Sequence, residues 1–382
     1  MLKLRRATVI STEPHVSGAG EQRLTVELAG AGTAGPRPAI ADISLVGPCE
    51  LGDELVVNVE ALDLGLGSGG FDVVHVNLSR GLEGAGAEGA GVMKLNYTSL
   101  QHSVRPVEEE ALELPLDRPA GVLALHGQLA PVAWAFARAN PGARLGYVQT
   151  EGGALPGSHS RTVAELRERG LLAGHLTAGA SFGGEGEAIT TGGALHHGLR
   201  TLGWDAALCG PGPGIVGSGS RLGHGGMLAL DSAHVALALG CPTLLVARMS
   251  SGERRARHRG ISHHTLTVLD LLLEPVTVAL PAGMRSPVGA DLRAGLGSIF
   301  GAAPSPPVLA PEVERPARIT RHDWRRAEVD LPAYVASGLP AETMGRPVAD
   351  DPLFFAAALA GGTALGELTV AVGTPDGAAE HV

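Results

Sequence analysis

One segment of the sequence concentrates side chains that could do chemistry on an anion. From position 248 to 259 it has five arginines and a single acid, Glu253, although the whole protein has a formal net charge of -10. Guanidinium groups match the geometry of phosphate and carboxylate oxygens. The alternative is a solvated loop whose arginines form surface ion pairs. The arginines that we expect to contact an anion are Arg254, Arg255, Arg257 and Arg259.

Histidines within and after this run could transfer protons. His258 lies inside it, and His263 and His264 fall in the first turn of a helix that Ser262 is placed to cap. At this end of a helix the dipole favours an anion and a neutral imidazole. We therefore predict proton transfer by one of these three histidines. Glu151, after an earlier strand, is a further candidate base, although it could equally cap a loop or pair with an arginine.

Two further titratable residues are predicted to bind the ligand. His224 and Asp231 are seven residues apart and would share one face of an apolar helix. A buried pair of this kind needs a partner, a ligand or a metal. Convergence of the histidines on a metal is the minority interpretation, because the sequence has no HExxH or CxxC spacing. We predict no metal ligand, and the sequence identifies no cofactor.

A glycine loop precedes this helix. Gly212, Gly214 and Gly217 are spaced as in dinucleotide-binding loops, where glycine admits a phosphate to the backbone. Two prolines remove backbone donors from the loop, and no acidic residue follows at the usual distance of about twenty positions. We predict that the three glycines bind a phosphate or carboxylate, with a purely structural turn as the alternative.

The elements around these loops predict an α/β protein. Strand and helix patterns alternate over residues 118–300, which indicates a Rossmann-like three-layer domain with a mostly parallel sheet. The predicted strands 206–209 and 243–247 end just before the glycine loop and the arginine-histidine segment. Parallel strands place such loops at one edge of the sheet, where open α/β sheets bind ligands.

The flanking regions differ from this central domain. Residues 1–117 alternate as short strands between Gly, Pro and Asp turns, which predicts a small β-barrel of the OB or SH3-like kind. Residues 301–382 begin with a Pro-rich linker and continue with short elements that we expect to dock on the α/β domain.

Composition excludes several classes of function. The negative net charge and the scarcity of aromatic residues, 3% of the chain, argue against nucleic-acid binding. Three cysteines without CxxC spacing favour a reducing cytoplasm. The sequence shows no signal peptide and no membrane-spanning segment, so we expect a cytoplasmic protein without a membrane partner. The sequence does not determine the oligomeric state, and a homo-oligomer is compatible with it.

Four segments carry a resemblance to a known family. They are Met93-Lys-Leu-Asn-Tyr-Thr98, Gly212-Pro-Gly-Ile-Val-Gly217, Arg257-His-Arg-Gly-Ile-Ser-His-His-Thr265 and Thr343-Met-Gly-Arg346. Together they resemble the marker segments of a bacterial family that is catalogued as a domain of unknown function. The resemblance implies a cytosolic bacterial protein and supplies no activity, cofactor or catalytic residue.

The residues themselves favour an enzyme that binds a small anionic ligand, phosphorylated or nucleotide-like, and performs hydrolysis or group transfer. A non-catalytic sensor or assembly protein is the first alternative. A metal-dependent hydrolase is the second.

Overall fold

The structure is a computed structural model, and it describes residues 1–13, 20–30, 35–65, 70–84, 86, 88–108, 111–282 and 316–373. The chain divides into two compact units. Unit 1 comprises Met1–Pro106 and Leu155–Ala164, and unit 2 comprises Val107–Ala154 and Glu165–Val382. The predicted Pro-rich linker lies outside the described residues up to position 315, as do residues 374–382.

Unit 1 contains the predicted barrel. Its five strands are β1 (Leu4–Thr12), β2 (Glu21–Leu28), β3 (Arg37–Asp42), β4 (Glu54–Asn58) and β5 (Asp72–Asn77). They close in the order β1-β2-β3-β5-β4, with a parallel pairing only between β3 and β5. Alternate residues of each strand, such as Leu24 and Val26, fill the interior. Five strands is the number found in the OB fold.

Shorter elements complete unit 1. They are the helices α1 (Ile43–Val46) and α2 (Glu60–Asp63) and the hairpin strands β6 (Val92–Lys94) and β7 (His102–Val104). β6 ends at Lys94 because Leu95 and Tyr97 adopt positive φ angles of 51° and 62°.

Unit 2 contains a parallel sheet and two short hairpins. Its strands are β8 (Ala120–Val122), β9 (Leu145–Thr150), β10 (Gly174–Ala178), β11 (Gly186–Ala188), β12 (Ala206–Pro211), β13 (Thr243–Leu245), β14 (Met249–Ser250), β15 (Gly260–Ile261), β16 (Thr277–Pro281), β17 (Asp323–Ala327), β18 (Glu342–Thr343) and β19 (Arg346–Pro347). Among the described residues, eight of them form one all-parallel sheet in the order β11-β10-β9-β12-β8-β13-β16-β17.

Helices connect these strands. The α-helices are α3 (Leu129–Ala139), α4 (Arg161–Glu168), α5 (Thr191–His196), α6 (Ala229–Ala238), α7 (His263–Leu271), α8 (Pro316–Thr320), α9 (Leu331–Ala336) and α10 (Pro352–Gly373). Short 3-10 turns cover His126–Gln128, Gly157–His159, Gly225–Leu228 and Ala256–His258, and a π-helical turn covers His197–Thr201.

Close packing in unit 2 depends on glycine at two places. Trp204 is buried against Gly146, Gly174 and Gly198, each of which has no room for a Cβ beside the indole. Gly362 brings α10 against α3, because a Cβ there would strike the carbonyl oxygen of Val132. The core is therefore built from small residues around a few large ones.

The predicted fold class, a small barrel with a Rossmann-like parallel sheet, is confirmed. The sheet includes β17, which comes from the C-terminal region. One of the short elements expected in that region is the 22-residue helix α10, which extends to Gly373. By length and composition α10 could span a membrane, but 78% of its most apolar window is buried inside the structure, as in a core helix.

Candidate functional site

The arginine-histidine segment forms a β-hairpin after the sheet. β14 and β15 pair in antiparallel fashion and enclose residues 251–259 as the tip. The buried carboxylate of Asp351 fixes the start of the tip, since it accepts the Ser250 hydroxyl at 2.6 Å and the backbone N-H groups of Ser251 and Gly252 at 2.8 and 3.2 Å. Ser262 then caps α7 by accepting the backbone N-H of His264. The segment is consequently held at both ends.

Three predicted catalytic histidines converge where the hairpin tip meets the first turn of α7. His258, His263 and His264 are 2%, 4% and 2% exposed, and one ring nitrogen of each lies within 4.8 Å of the others. The ring of His264 is 4.0 Å from that of His263 and 4.4 Å from that of His224, centroid to centroid. In the described part of the chain, His263 Nε2 and His264 Nδ1 are buried without a hydrogen-bond partner. An orphan buried nitrogen in a folded protein calls for an explanation, such as a bound water or ion or a catalytic role.

The histidines of this cluster are neutral at physiological pH. Burial lowers the pKa of His263 and His264 to about 4, and burial together with the positive charge of Arg248 lowers that of His258 to about 2. A base with so low a pKa accepts protons poorly at pH 7. A neutral imidazole does offer a lone pair or an N-H group to a ligand.

Arg248 supplies a buried positive charge beside the cluster. It is 3% exposed, and no carboxylate in the described residues comes within ion-pair distance of its guanidinium. Its Nη2 donates to the sulfur of Met344 at 3.9 Å. Burial lowers the pKa of Arg248 to about 10, which leaves it charged at neutral pH. A buried guanidinium without a carboxylate partner is unusual and favours an anionic ligand.

A strained turn brings Met344 to this guanidinium. The hairpin of β18 and β19 turns through Met344 and Gly345, whose φ angles are 48° and 71°. A non-glycine residue rarely adopts this conformation, but a two-residue hairpin turn requires positive φ at both of its central residues. On β19, Arg346 donates to Asp351 at 3.2 Å and lies 3.7 Å from Glu253. This family-marker segment therefore belongs to the same site.

The predicted arginines separate into two groups. Arg255 donates to the buried Glu253 through Nε and Nη2 at 3.1 and 2.7 Å, and Arg259 donates to the backbone carbonyl of Glu253 at 2.7 Å. These two hold the loop together. Arg254 is exposed, while Arg257 is half-buried and its Nε is buried without a partner among the described residues. Arg257 and Arg254 thus remain available to an anion.

The glycine loop lies against the His224 ring, and side chains of the protein occupy the space beside Gly212 and Gly217. A Cβ at Gly212 would collide with the Gln149 amide, and one at Gly217 would lie 2.5 Å from the His224 ring. Gly214 is required by its φ of 81°. The next helical turn begins at Gly225, so no helix N-terminus follows the loop directly. These observations favour the structural alternative for the three glycines.

The structure brings His224 to the cluster but not Asp231 or Glu151. His224 lies before the 3-10 turn that precedes α6, so the expected shared helical face does not form, and Asp231 is exposed on the first turn of α6. His224 Nδ1 accepts the backbone N-H of Gly226 at 2.9 Å. Glu151 is exposed, and its carboxylate caps a loop by accepting the backbone N-H of Ala180 at 2.9 Å.

Sequence reasoning did not assign Arg248, Arg346 or Asp351 to the site. Arg248 was visible as the first arginine of the run, and Arg346 as the end of a family-marker segment. Asp351 had no sequence signal. Its role depends on the start of α10 lying against a hairpin about 100 residues earlier in the chain.

Comparison with known proteins adds the family and nothing on activity. No curated protein and no solved structure matches the chain. Residues 38–362 match the family described as "Protein of unknown function (DUF3866)". This range includes most of the barrel, the whole histidine cluster and the Met344 turn. The chain belongs to the DUF3866 family.

Proposed function

We propose that the protein is an enzyme that binds a small phosphorylated compound at the arginine-histidine hairpin and performs hydrolysis or group transfer on it. The observation that carries the proposal is the buried guanidinium of Arg248, which has no carboxylate partner among the described residues and lies beside three buried, neutral imidazoles. A phosphate group would neutralise the guanidinium and accept hydrogen bonds from it.

The partnerless nitrogen of Arg257 supports the same ligand. Its Nε is a buried N-H donor that the described protein atoms leave unsatisfied. A phosphate presents several acceptor oxygens in a small volume, so it can satisfy donors on different elements at once. The exposed Arg254 at the hairpin tip would attract such an anion toward the site.

Bound phosphate would also change the histidines. Its negative charge raises the pKa of adjacent imidazoles and so offsets the lowering caused by burial and by Arg248. In hydrolysis, one imidazole accepts a proton from water as the water oxygen bonds to phosphorus. The bond to the leaving oxygen breaks, and that oxygen takes up the proton. In group transfer, an acceptor hydroxyl replaces the water.

Calorimetric titration of the metal-free protein with inorganic phosphate and pyrophosphate tests the binding. We expect saturable binding to the wild type and a loss of at least about 30-fold in affinity in Arg248→Met, because truncating one partner of a buried charge pair costs 2–5 kcal/mol. Arg325→Met, which alters an exposed arginine on β17, is the control and should bind as the wild type does. Equal binding by Arg248→Met would contradict the proposal.

Turnover separates the enzyme from a ligand sensor. Assays of a panel of phosphorylated sugars, alcohols and nucleotides, for phosphate release and for a phosphorylated acceptor, should identify a substrate whose hydrolysis or transfer is lost in Arg248→Met. Binding without turnover of any compound would instead favour the non-catalytic alternative.

A further inference from the structure

We propose that His258, His263 and His264 form a binding site for a divalent transition metal of the zinc type. This metal site lies within the site of the proposed function. The inference rests on that function only where it assumes that an anionic ligand binds beside the metal. Its basis is geometric: three buried imidazoles present nitrogens within 4.8 Å of one another, and two of these residues have a partnerless buried ring nitrogen. Imidazole nitrogen is a preferred ligand of Zn²⁺.

The hydrogen bonds of His264 leave one of its ring nitrogens available to a metal. Its Nε2 lies 3.4 Å from the backbone oxygen of Ser220, which can only accept, so Nε2 carries the proton. The lone pair of the neutral ring is then on Nδ1, the atom that is buried and without a partner in the described residues. Metal-bound histidines commonly donate their second ring N-H to a backbone carbonyl, which fixes the ring and increases its basicity.

His258 has a comparable arrangement. Its Nδ1 lies 2.8 Å from the hydroxyl oxygen of Ser262, which can accept the ring N-H and so leave the lone pair on Nε2. The same serine caps α7 through the His264 backbone, so one residue orients two of the three imidazoles. His263, the first residue of α7, offers its partnerless Nε2.

His224 is excluded as a fourth ligand. Its Nδ1 accepts a backbone N-H at 2.9 Å, so the ring proton lies on Nε2 and no lone pair is left. Three imidazoles and an open position are the arrangement of catalytic zinc sites, whereas structural sites have four protein ligands. In such a site the metal would activate a bound water and the three histidines would be its ligands, so the proton transfer to an imidazole described above applies to the metal-free protein.

Metal binding requires the histidine cluster to contract and the repulsion by Arg248 to be overcome. Zn-N bonds of about 2.0–2.1 Å place tetrahedral ligand nitrogens roughly 3.4 Å apart, so the cluster must contract by side-chain rotation. A divalent cation is also repelled by the nearby guanidinium of Arg248. An anion bound to Arg248 would remove this repulsion. We therefore expect metal and anion to strengthen each other's binding.

Titration with Co²⁺ alone, followed by visible absorption, tests the site in the chelator-treated full-length protein. We expect one equivalent of Co²⁺ to bind, with the intense bands of four-coordinate cobalt, and Zn²⁺ to displace it. The affinity for Co²⁺ should fall by at least about 100-fold in His263→Ala and in His264→Ala. Loss of a hydrogen-bond partner of a metal ligand already costs up to about 100-fold, and loss of the ligand itself should cost at least as much. His234→Gln, a half-buried histidine on α6, is the matched control and should bind normally.

Absence of stoichiometric binding, or equal binding by the cluster variants and the wild type, overturns the inference. If the alanine variants do not fold, X-ray absorption at the zinc edge of the wild-type complex decides, and fewer than three imidazole ligands would overturn it. Phosphate binding to the metal-free protein without any metal binding would leave the proposed function intact and refute this site. Metal binding without phosphate or sulfate binding would support this metal site and contradict the proposed function.

Discussion

Replacement of Arg248 by methionine should make the ligand-free protein more stable while abolishing its binding of phosphate. Burial lowers the guanidinium pKa from 12.5 to about 10. At about 1.36 kcal/mol per unit, holding this charge costs the folded state about 3 kcal/mol. The folded pKa is below the unfolded one, so the cost is present at every pH below about 10, including pH 7. Methionine keeps the length and removes the charge.

The assay is urea denaturation at pH 7 in buffer without phosphate. We expect Arg248→Met to raise the free energy of unfolding by up to about 3 kcal/mol, in line with the 1–4 kcal/mol gained when buried ionic groups are replaced by apolar ones. Added phosphate should raise the stability of the wild type alone, because a ligand of the folded state stabilises it by mass action.

The matched control is Arg255→Met in the same hairpin. Arg255 is the reason that the pKa of Glu253 falls to about 2, and this carboxylate is 4% exposed. Removal of the Arg255 guanidinium should therefore destabilise the protein by roughly 1–3 kcal/mol, since Glu253 then keeps only the longer contact with Arg346, at 3.7 Å. If Arg248→Met were destabilised to the same degree, Arg248 would be a structural residue, and the reasoning that links its charge to a ligand would be refuted.

Three further predictions concern residues that stabilise the fold. Asp351→Asn should lower the free energy of unfolding by about 3 kcal/mol in urea titrations, because a buried acceptor of several hydrogen bonds loses its charge; a change below 0.5 kcal/mol would contradict this. Gly146→Ala should cost at least about 1–3 kcal/mol by overpacking against Trp204, and an unchanged melting temperature would show that the indole can move. In unit 1, burial raises the pKa of Asp42, but the hydrogen bonds and charge of His159 and neighbouring bonds outweigh it and lower the pKa below 3.8. The stability from this carboxylate is thus complete above pH 3.8 and is lost as the pH falls through the lowered value. Asp42→Asn should remove this part of the acid sensitivity, and identical acid midpoints would contradict the account.

The fold class was predictable because it depends on local patterns. Alternating burial in the barrel and strand-helix alternation in the sheet are visible in hydrophobic periodicity. The cap of α7 by Ser262 follows from the preference of serine for helix N-termini, and the structure confirms that cap. The strand β17 was not predicted, since Asp323–Ala327 is short and rich in charge, and its pairing with β16 is a long-range contact.

The candidate site was only partly predictable for the same reason. Sequence indicated that the arginines and histidines would lie in one loop, but not which arginine would find a carboxylate. Glu253 pairs with Arg255, and Arg248 has no carboxylate partner in the described part of the chain, which depends on side-chain directions in the hairpin. The seven-residue spacing of His224 and Asp231 does not place them on one helical face, because a 3-10 turn lies between them. A metal site was not predicted, since His258, His263 and His264 follow no standard ligand spacing.

The most direct test of the central claim is a crystal structure of the protein grown with Zn²⁺ and sulfate, measured at the zinc absorption edge. The account predicts an anomalous peak between the rings of His258, His263 and His264, and sulfate density within hydrogen-bond distance of the Arg248 guanidinium. An empty histidine cluster, with Arg248 bound instead by a carboxylate of the protein itself, would contradict it.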